Sequence, residues 1–173
     1  MKRLHLCSIS LAVLAMLVLS FICFHQSDRW IRKADMPTPR LGLATCTVNG
    51  IIYAIGGSTG SPDQVLSTVE VYDPATDTWT RRADMPTPRF SPATCALNGK
   101  IYAIGGSIGY DVQSMVEIYD PASHKWSYIA SLPAPRAAAT CVVGGKIYCI
   151  GGALTIKPPH PAVAWVEEYT PAR

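Results

Sequence analysis

The sequence predicts an all-β fold made of about three copies of one four-stranded antiparallel unit. Three observations carry that prediction. The stretch 98–106 (NGKIYAIGG) recurs at 49–57 (NGIIYAIGG) and at 144–152 (GGKIYCIGG). Trp30 recurs as Trp79 and Trp126, and a Val-Glu-x-Tyr run recurs at 69–72, 116–119 and 166–169. A repeat of this length is one supersecondary unit that buries its apolar face only by stacking on its neighbours.

The chain opens differently. Lys2-Arg3 precedes an apolar run, 4–24, interrupted only by His5, Cys7 and three serines. As a helix it would span roughly 31 Å, about the thickness of a hydrocarbon core. It predicts one N-terminal hydrophobic helix within residues 1–25, acting as a signal peptide or as an uncleaved membrane anchor. Val18-Leu19-Ser20 is a passable cleavage site with no clean small-x-small pattern after it, so both readings stay open. Neither Cys7 nor Cys23 has the small residues before it that lipid attachment wants. Positive residues ahead of the segment keep the N-terminus cytoplasmic and put residues 26–173 outside the cytoplasm.

Within each repeat four short strands follow. Strand a is the small-residue run after an arginine, with Cys46, Cys95 and Cys141 at one equivalent position. Asn49-Gly50, Asn98-Gly99 and Gly144-Gly145 then supply two-residue hairpin turns, because these residues tolerate φ > 0. Strand b is the Ile-Tyr-Ala-Ile run, too short for a helix and rich in β-formers. The pairs Gly56-Gly57, Gly105-Gly106 and Gly151-Gly152 stop it where a side chain would be unwelcome. Strand c carries Glu70, Glu117 and Glu167 with Tyr72, Tyr119 and Tyr169, and Asp-Pro turns lead to strand d around Trp79 and Trp126. These tyrosines and tryptophans read as packing between units. Four antiparallel strands per repeat is the signature of a propeller blade, placing blades at about 41–83, 90–130 and 137–169, with a d-type strand at 29–34.

The Gly-Gly after strand b, Glu-x-Tyr-Asp-Pro in strand c, the spaced tryptophan and the Met-Pro-x-Pro-Arg lead-in together resemble kelch repeats. That resemblance implies a kelch-type β-propeller segment, in a family whose rings usually hold six or seven blades and serve mostly as rigid binding platforms. Three blades fall below the four to eight that close a ring. Two readings follow: a fragment of a longer propeller, or a homodimer in which two copies join head to tail into a six-bladed ring. A lone three-blade arc would expose apolar end faces and unpaired strand edges.

Strand parity puts the d–a and b–c loops on one face and the a–b and c–d turns on the other. The long, dissimilar segments 58–67, 107–114 and 153–164 are all b–c loops, so that face is the expected binding face. Its candidate binding residues are Arg40, Arg89 and Arg136, with Asp63, Gln64, Tyr110 and Asp111. In some kelch domains arginines at this position help bind acidic ligands. The alternative is that each arginine pairs with the strand-c glutamate and ties loop to blade. An uncleaved anchor would hold the opposite face toward the membrane.

Other chemistry is sparse. Removing Lys2 and Arg3 from the 15 basic residues leaves 13 against 12 acidic ones, so no basic stripe invites nucleic acid. His5, His25, His124 and His160 show no metal-ligand spacing, and no nucleotide-binding or nucleophile motif occurs. No metal and no cofactor are expected. Cys149 would face Thr140 across a two-residue turn; a turn one residue longer would put it opposite Cys141 and permit a disulfide. The function expected is therefore non-catalytic recognition of a protein or glycan. The rival is a kelch-type carbohydrate-active enzyme resembling a sialic-acid mutarotase, incomplete or completed by a second copy.

Overall fold

A computed structural model describes residues 28–61 and 64–172. Lys33–Arg173 form one compact unit, and the strands among the described residues all lie in it. Of the preceding unit, residues 28–32 have no regular secondary structure. The hydrophobic helix expected at 4–24 lies outside the described residues. Among the described residues no helix is long and apolar enough to cross a membrane.

The first sheet is a meander of β1 (Ala44–Val48), β2 (Ile51–Ile55), β3 (Val69–Asp73) and β4 (Thr78–Arg81). The second repeats it with β5 (Ala93–Leu97) and β6 (Lys100–Ile104), then a small hairpin of β7 (Ser107–Ile108) and β8 (Asp111–Val112) inside its b–c loop. β9 (Val116–Asp120) and β10 (Lys125–Ile129) complete that sheet. The third holds β11 (Ala137–Val143), β12 (Lys146–Ala153) and β13 (Val166–Tyr169), three strands in all. The all-β propeller architecture expected from the repeats is present.

Turn chemistry sets the register. Asn49 and Gly50 have φ of 52° and 78°, and Val48 pairs Ile51 across them. Asn98-Gly99 and Gly144-Gly145 repeat the geometry, the form whose twist matches the flanking strands. The two-residue turn at Gly144-Gly145 sets Thr140 opposite Cys149 and Cys141 opposite Tyr148. Cys141 is exposed and Cys149 buried, and both thiols are free.

The d-type strand expected at 29–34 has no ladder partner among the described residues. A strand exists through its ladder, and the c strands β3 and β9 already hold β4 and β10 as fourth strands. Ala34 is pinned instead: its N–H donates to Asp77 Oδ1 at 2.9 Å and its carbonyl accepts Trp79 Nε1 at 2.9 Å. Ala83 repeats half of this, accepting Trp126 Nε1 at 3.0 Å.

The core lies between sheets. Tyr53, Ile55, Val69 and Val71 of the first pack on Met85, Ile101, Ala103 and Tyr119 of the second. Tyr102, Ile104, Val116 and Ile118 in turn pack on Ile147 and Cys149 of the third. Each fully buried aliphatic or aromatic side chain contributes about 1.5–3 kcal/mol. Trp79 tilts on Tyr72, and Trp126 on Tyr119, each at 5.1 Å between centroids. Cys46 and Cys95 pack as small apolar residues, and burial pushes their thiols up to about 12 and about 11. The first glycine of the first two pairs marks the crossing of the next unit's lead-in. A Cβ on Gly105, whose φ is 58°, would sit 2.3 Å from the Arg136 carbonyl oxygen, and one on Gly56 2.6 Å from that of Arg89.

Candidate functional site

Each arginine lead-in builds one recurring node. Arg89 Nη1 donates to the carbonyls of Gly105 and Met115, both at 3.0 Å, while Nη2 pairs with Glu117 Oε2. Thr87 supplies the other carboxylate oxygen with a hydroxyl donor at 2.7 Å. Arg40 does the same, with Gly56 at 3.0 Å, Thr68 at 2.7 Å and Glu70 at 3.1 Å, and Thr38 donates to Glu70 at 2.7 Å. The glutamate serves as a local counter-charge where water is excluded, which is what a buried guanidinium requires. Burial pulls the Arg40 and Arg89 pKa values down, and Glu70 and Glu117 oppose it.

The third node is thinner. Ala134 stands where Thr38 and Thr87 stand and has no hydroxyl to give. Arg136 Nη2 pairs with Glu167, but its buried Nη1 has no partner, and Trp165 lies over the guanidinium at 5.6 Å. Burial pulls on Arg136 too, yet Glu167 and Cys149 outweigh it and the net shift is upward. All three arginine side chains are fully buried. The geometry therefore commits them to holding loop to blade, the second of the two roles that the sequence left open. Their guanidinium groups do not reach the surface.

What does reach the surface is the b–c loop face. The lead-ins join it directly: Arg89 N–H donates to the Leu66 carbonyl at 3.1 Å, and Phe90 bridges Ser107 at the start of the β7–β8 hairpin. That hairpin raises Tyr110 and Asp111 into solvent. Beside them, Pro135, Leu154 and Thr155 complete a shallow groove of about 370 Å³ between the second and third units. Lys157 Nζ stands 5.2 Å from the Tyr110 ring centroid, within cation–π range. Gln64, on the first b–c loop, is exposed and accepts the Thr59 hydroxyl at 3.1 Å. Asp63 lies outside the described residues.

The groove thus joins Tyr110 and Asp111 to residues that sequence reasoning missed. Lys157 carried one available signal, being the sole lysine or arginine of the segment 153–164. Its pairing with Tyr110 depends on how two loops from neighbouring units meet, which neither loop's sequence states. No group of His, Cys, Asp and Glu among the described residues could hold a metal ion.

The repeat geometry has counterparts among known proteins. The kelch motif matches residues 39–86 and 88–133. This chain belongs to the kelch-repeat family. Kelch-like ECH-associated protein 1B of Danio rerio is 42% identical over 50 residues, 28% of this kelch chain and 8% of that protein. Alpha-scruin of Limulus polyphemus is 38% identical over 53 residues, 29% of this chain and 6% of its own. An F-box/kelch-repeat protein of Arabidopsis thaliana is 43% identical over 49 residues, 28% and 13% of the two chains. The solved structure of YjhT superposes with a TM-score of 0.67 at 22% identity, over 75% of this kelch chain and 50% of that one. That likeness concerns fold alone. The kelch chain spans about half of that structure and a small part of each curated relative.

Proposed function

We propose that this kelch segment is a non-catalytic binding scaffold, displayed outside the cytoplasm, that recognises a protein or a glycan through its b–c loop face. The observation that carries the reading is the groove between the second and third b–c loops. It sets an exposed aromatic ring beside a carboxylate (Tyr110 and Asp111), and the Lys157 ammonium stands over that ring at 5.2 Å. An aromatic face flanked by polar hydrogen-bonding groups suits a sugar ring or a peptide side chain. The second b–c loop is tied to the third lead-in below it, where the Arg136 N–H donates to the Gln113 carbonyl at 3.1 Å. Display outside the cytoplasm rests on Lys2-Arg3 ahead of the apolar run 4–24.

The test is a binding screen of the full chain against immobilised glycans and peptides, with sialic acid and galactose also offered as substrates. Tyr110→Ala/Lys157→Ala is expected to weaken any hit at least about ten-fold, since stacking and charge contacts of this kind are each worth on the order of 1 kcal/mol. Lys125→Ala on β10 should leave it unchanged. Loss-free binding in the double variant, or turnover of sialic acid anomers or galactose by the wild type, would defeat the reading. Protease accessibility of the b–c loops on intact cells tests the placement; protected loops would reverse it.

A further inference from the structure

We infer that the pocket between the first and second units binds a small organic carboxylate, held by Arg82, Lys100 and His124. The site stands apart from the b–c loop groove and is independent of the ligand that groove takes.

The pocket measures about 550 Å³, within the range of small-molecule sites. Asn49 and Asn98 of two a–b turns border it, and buried Val48 and Tyr53 supply apolar wall. Repetition shows which of the other lining residues the fold itself does not require. Arg82 lies three residues after Trp79, and Ile129 lies three after Trp126. Ile129 packs on the core between the second and third sheets, so an aliphatic side chain suffices at this position. Arg82 instead brings a half-buried guanidinium to the junction of the first and second sheets. Its Nη1 donates to the neighbouring Arg81 carbonyl at 3.3 Å, and no carboxylate among the described residues pairs with it. The three lead-in arginines, by contrast, each have a glutamate. Burial pushes the Tyr53 and Tyr119 phenols up and the Arg82 charge opposes this at both, which sets the guanidinium near the two rings.

His124 is the second such residue. It stands five positions after Tyr119, as Asp77 stands five after Tyr72, and both take a left-handed backbone, with φ of 57° and 54°. Asp77 accepts the Tyr72 hydroxyl, whereas His124 meets the Tyr119 hydroxyl through Nδ1 at 3.2 Å. The exchange puts an imidazole where a carboxylate would repel an anion, and it leaves Nε2 for a further partner. Asp120 is the acid among the lining residues, and its Oδ1 already accepts the Ala122 N–H at 2.9 Å. Lys100 Nζ stands 4.0 Å from Asp120 Oδ2 with 49% of its side chain exposed, a contact too loose to hold it. Arg82 and Lys100 against Asp120 leave one positive charge, which matches a monoanion better than a phosphate dianion. The planar guanidinium fork fits a carboxylate, and the apolar wall fits its carbon body.

The test is equilibrium dialysis of radiolabelled benzoate against the full chain in non-ionic detergent, with benzamide, inorganic phosphate and a single-glutamate peptide as competitors. Saturable binding is expected, displaced at least about ten-fold better by unlabelled benzoate than by any of the three. Arg82→Ile copies the residue at 129 and Arg82→Gln keeps a polar side chain. Each should weaken binding at least about ten-fold, the loss expected for a charge-assisted hydrogen bond. His124→Asp copies the residue at 77 and should weaken it at least about three-fold. Lys146→Ala, at the turn position of the third unit that matches Lys100, should leave it unchanged. No saturation below about 10 mM, equal displacement by benzamide, a preference for phosphate or the peptide, or an affinity indifferent to both Arg82 variants would each overturn the inference.

Discussion

Glu117→Gln is the sharpest probe of what holds these blades. In the native chain the Arg89 guanidinium and the Glu117 carboxylate are both fully buried, and Thr87 satisfies the second carboxylate oxygen. The substitution keeps the shape but leaves a permanently charged guanidinium facing a neutral amide. Removing one partner of a fully buried pair costs about 3–5 kcal/mol. For a chain of this size each kcal/mol moves the melting temperature by about 2–4 °C, so a fall of about 6–20 °C is expected. Glu167→Gln makes the same chemical change where the carboxylate is 26% exposed and Ala134 provides no hydroxyl. Water then screens the loss, which should be about 1 kcal/mol. Urea unfolding followed by tryptophan fluorescence measures both, provided the m-values agree. Equal losses for the two variants, or a Glu117→Gln cost below about 1 kcal/mol, would refute the claim that burial sets the worth of this node.

Gly105→Ala is expected to cost at least about 3 kcal/mol, because positive φ is worth about 1–2 kcal/mol and the Arg136 backbone must also move. Gly144→Ala, with φ of 59° and nothing within 4 Å, should cost only the backbone share; equal melting temperatures would count against the close-approach argument. Acid should loosen the contact between the first lead-in and the outer strand. The Ala34 N–H and the Tyr72 hydroxyl hold the Asp77 carboxyl below its usual range, so its stabilisation is complete above about pH 4 and is lost as pH falls through the lowered value. Asp77→Asn should flatten the acid limb of a pH–stability curve, and an unchanged slope would remove Asp77 from the account. Thiol labelling at neutral pH should reach exposed Cys141 well before half-buried Cys46 and buried Cys95, whose raised thiols stay protonated; mass spectrometry finding Cys46 or Cys95 modified first would contradict the packing.

The strand plan was legible because its signals are local. Asn-Gly turns, alternating strand residues and paired glycines each act within a few positions, and their repetition multiplies a weak pattern into a firm one. The arginine–glutamate pairing was legible too, since both residues recur together at 30 or so positions' distance. The position of Lys157 over Tyr110 was not, because it depends on the path of two unlike loops. Nor was a ladder partner for residues 29–34, for a related reason: a strand needs a partner edge, and sequence pattern names the candidate without saying which edge it takes.

By itself, then, the sequence determined the repeat, the tight turns and the face on which variable loops gather; the register that separates Cys141 from Cys149 came with the structure. Only the tertiary structure decided that the three arginines are spent inside the blades, that Tyr110 and Asp111 share a groove, and that Lys157 stands over the Tyr110 ring. The first set follows from backbone preferences acting over a few bonds. The second follows from burial and from contacts between units some fifty residues apart, which exist only once the sheets have stacked.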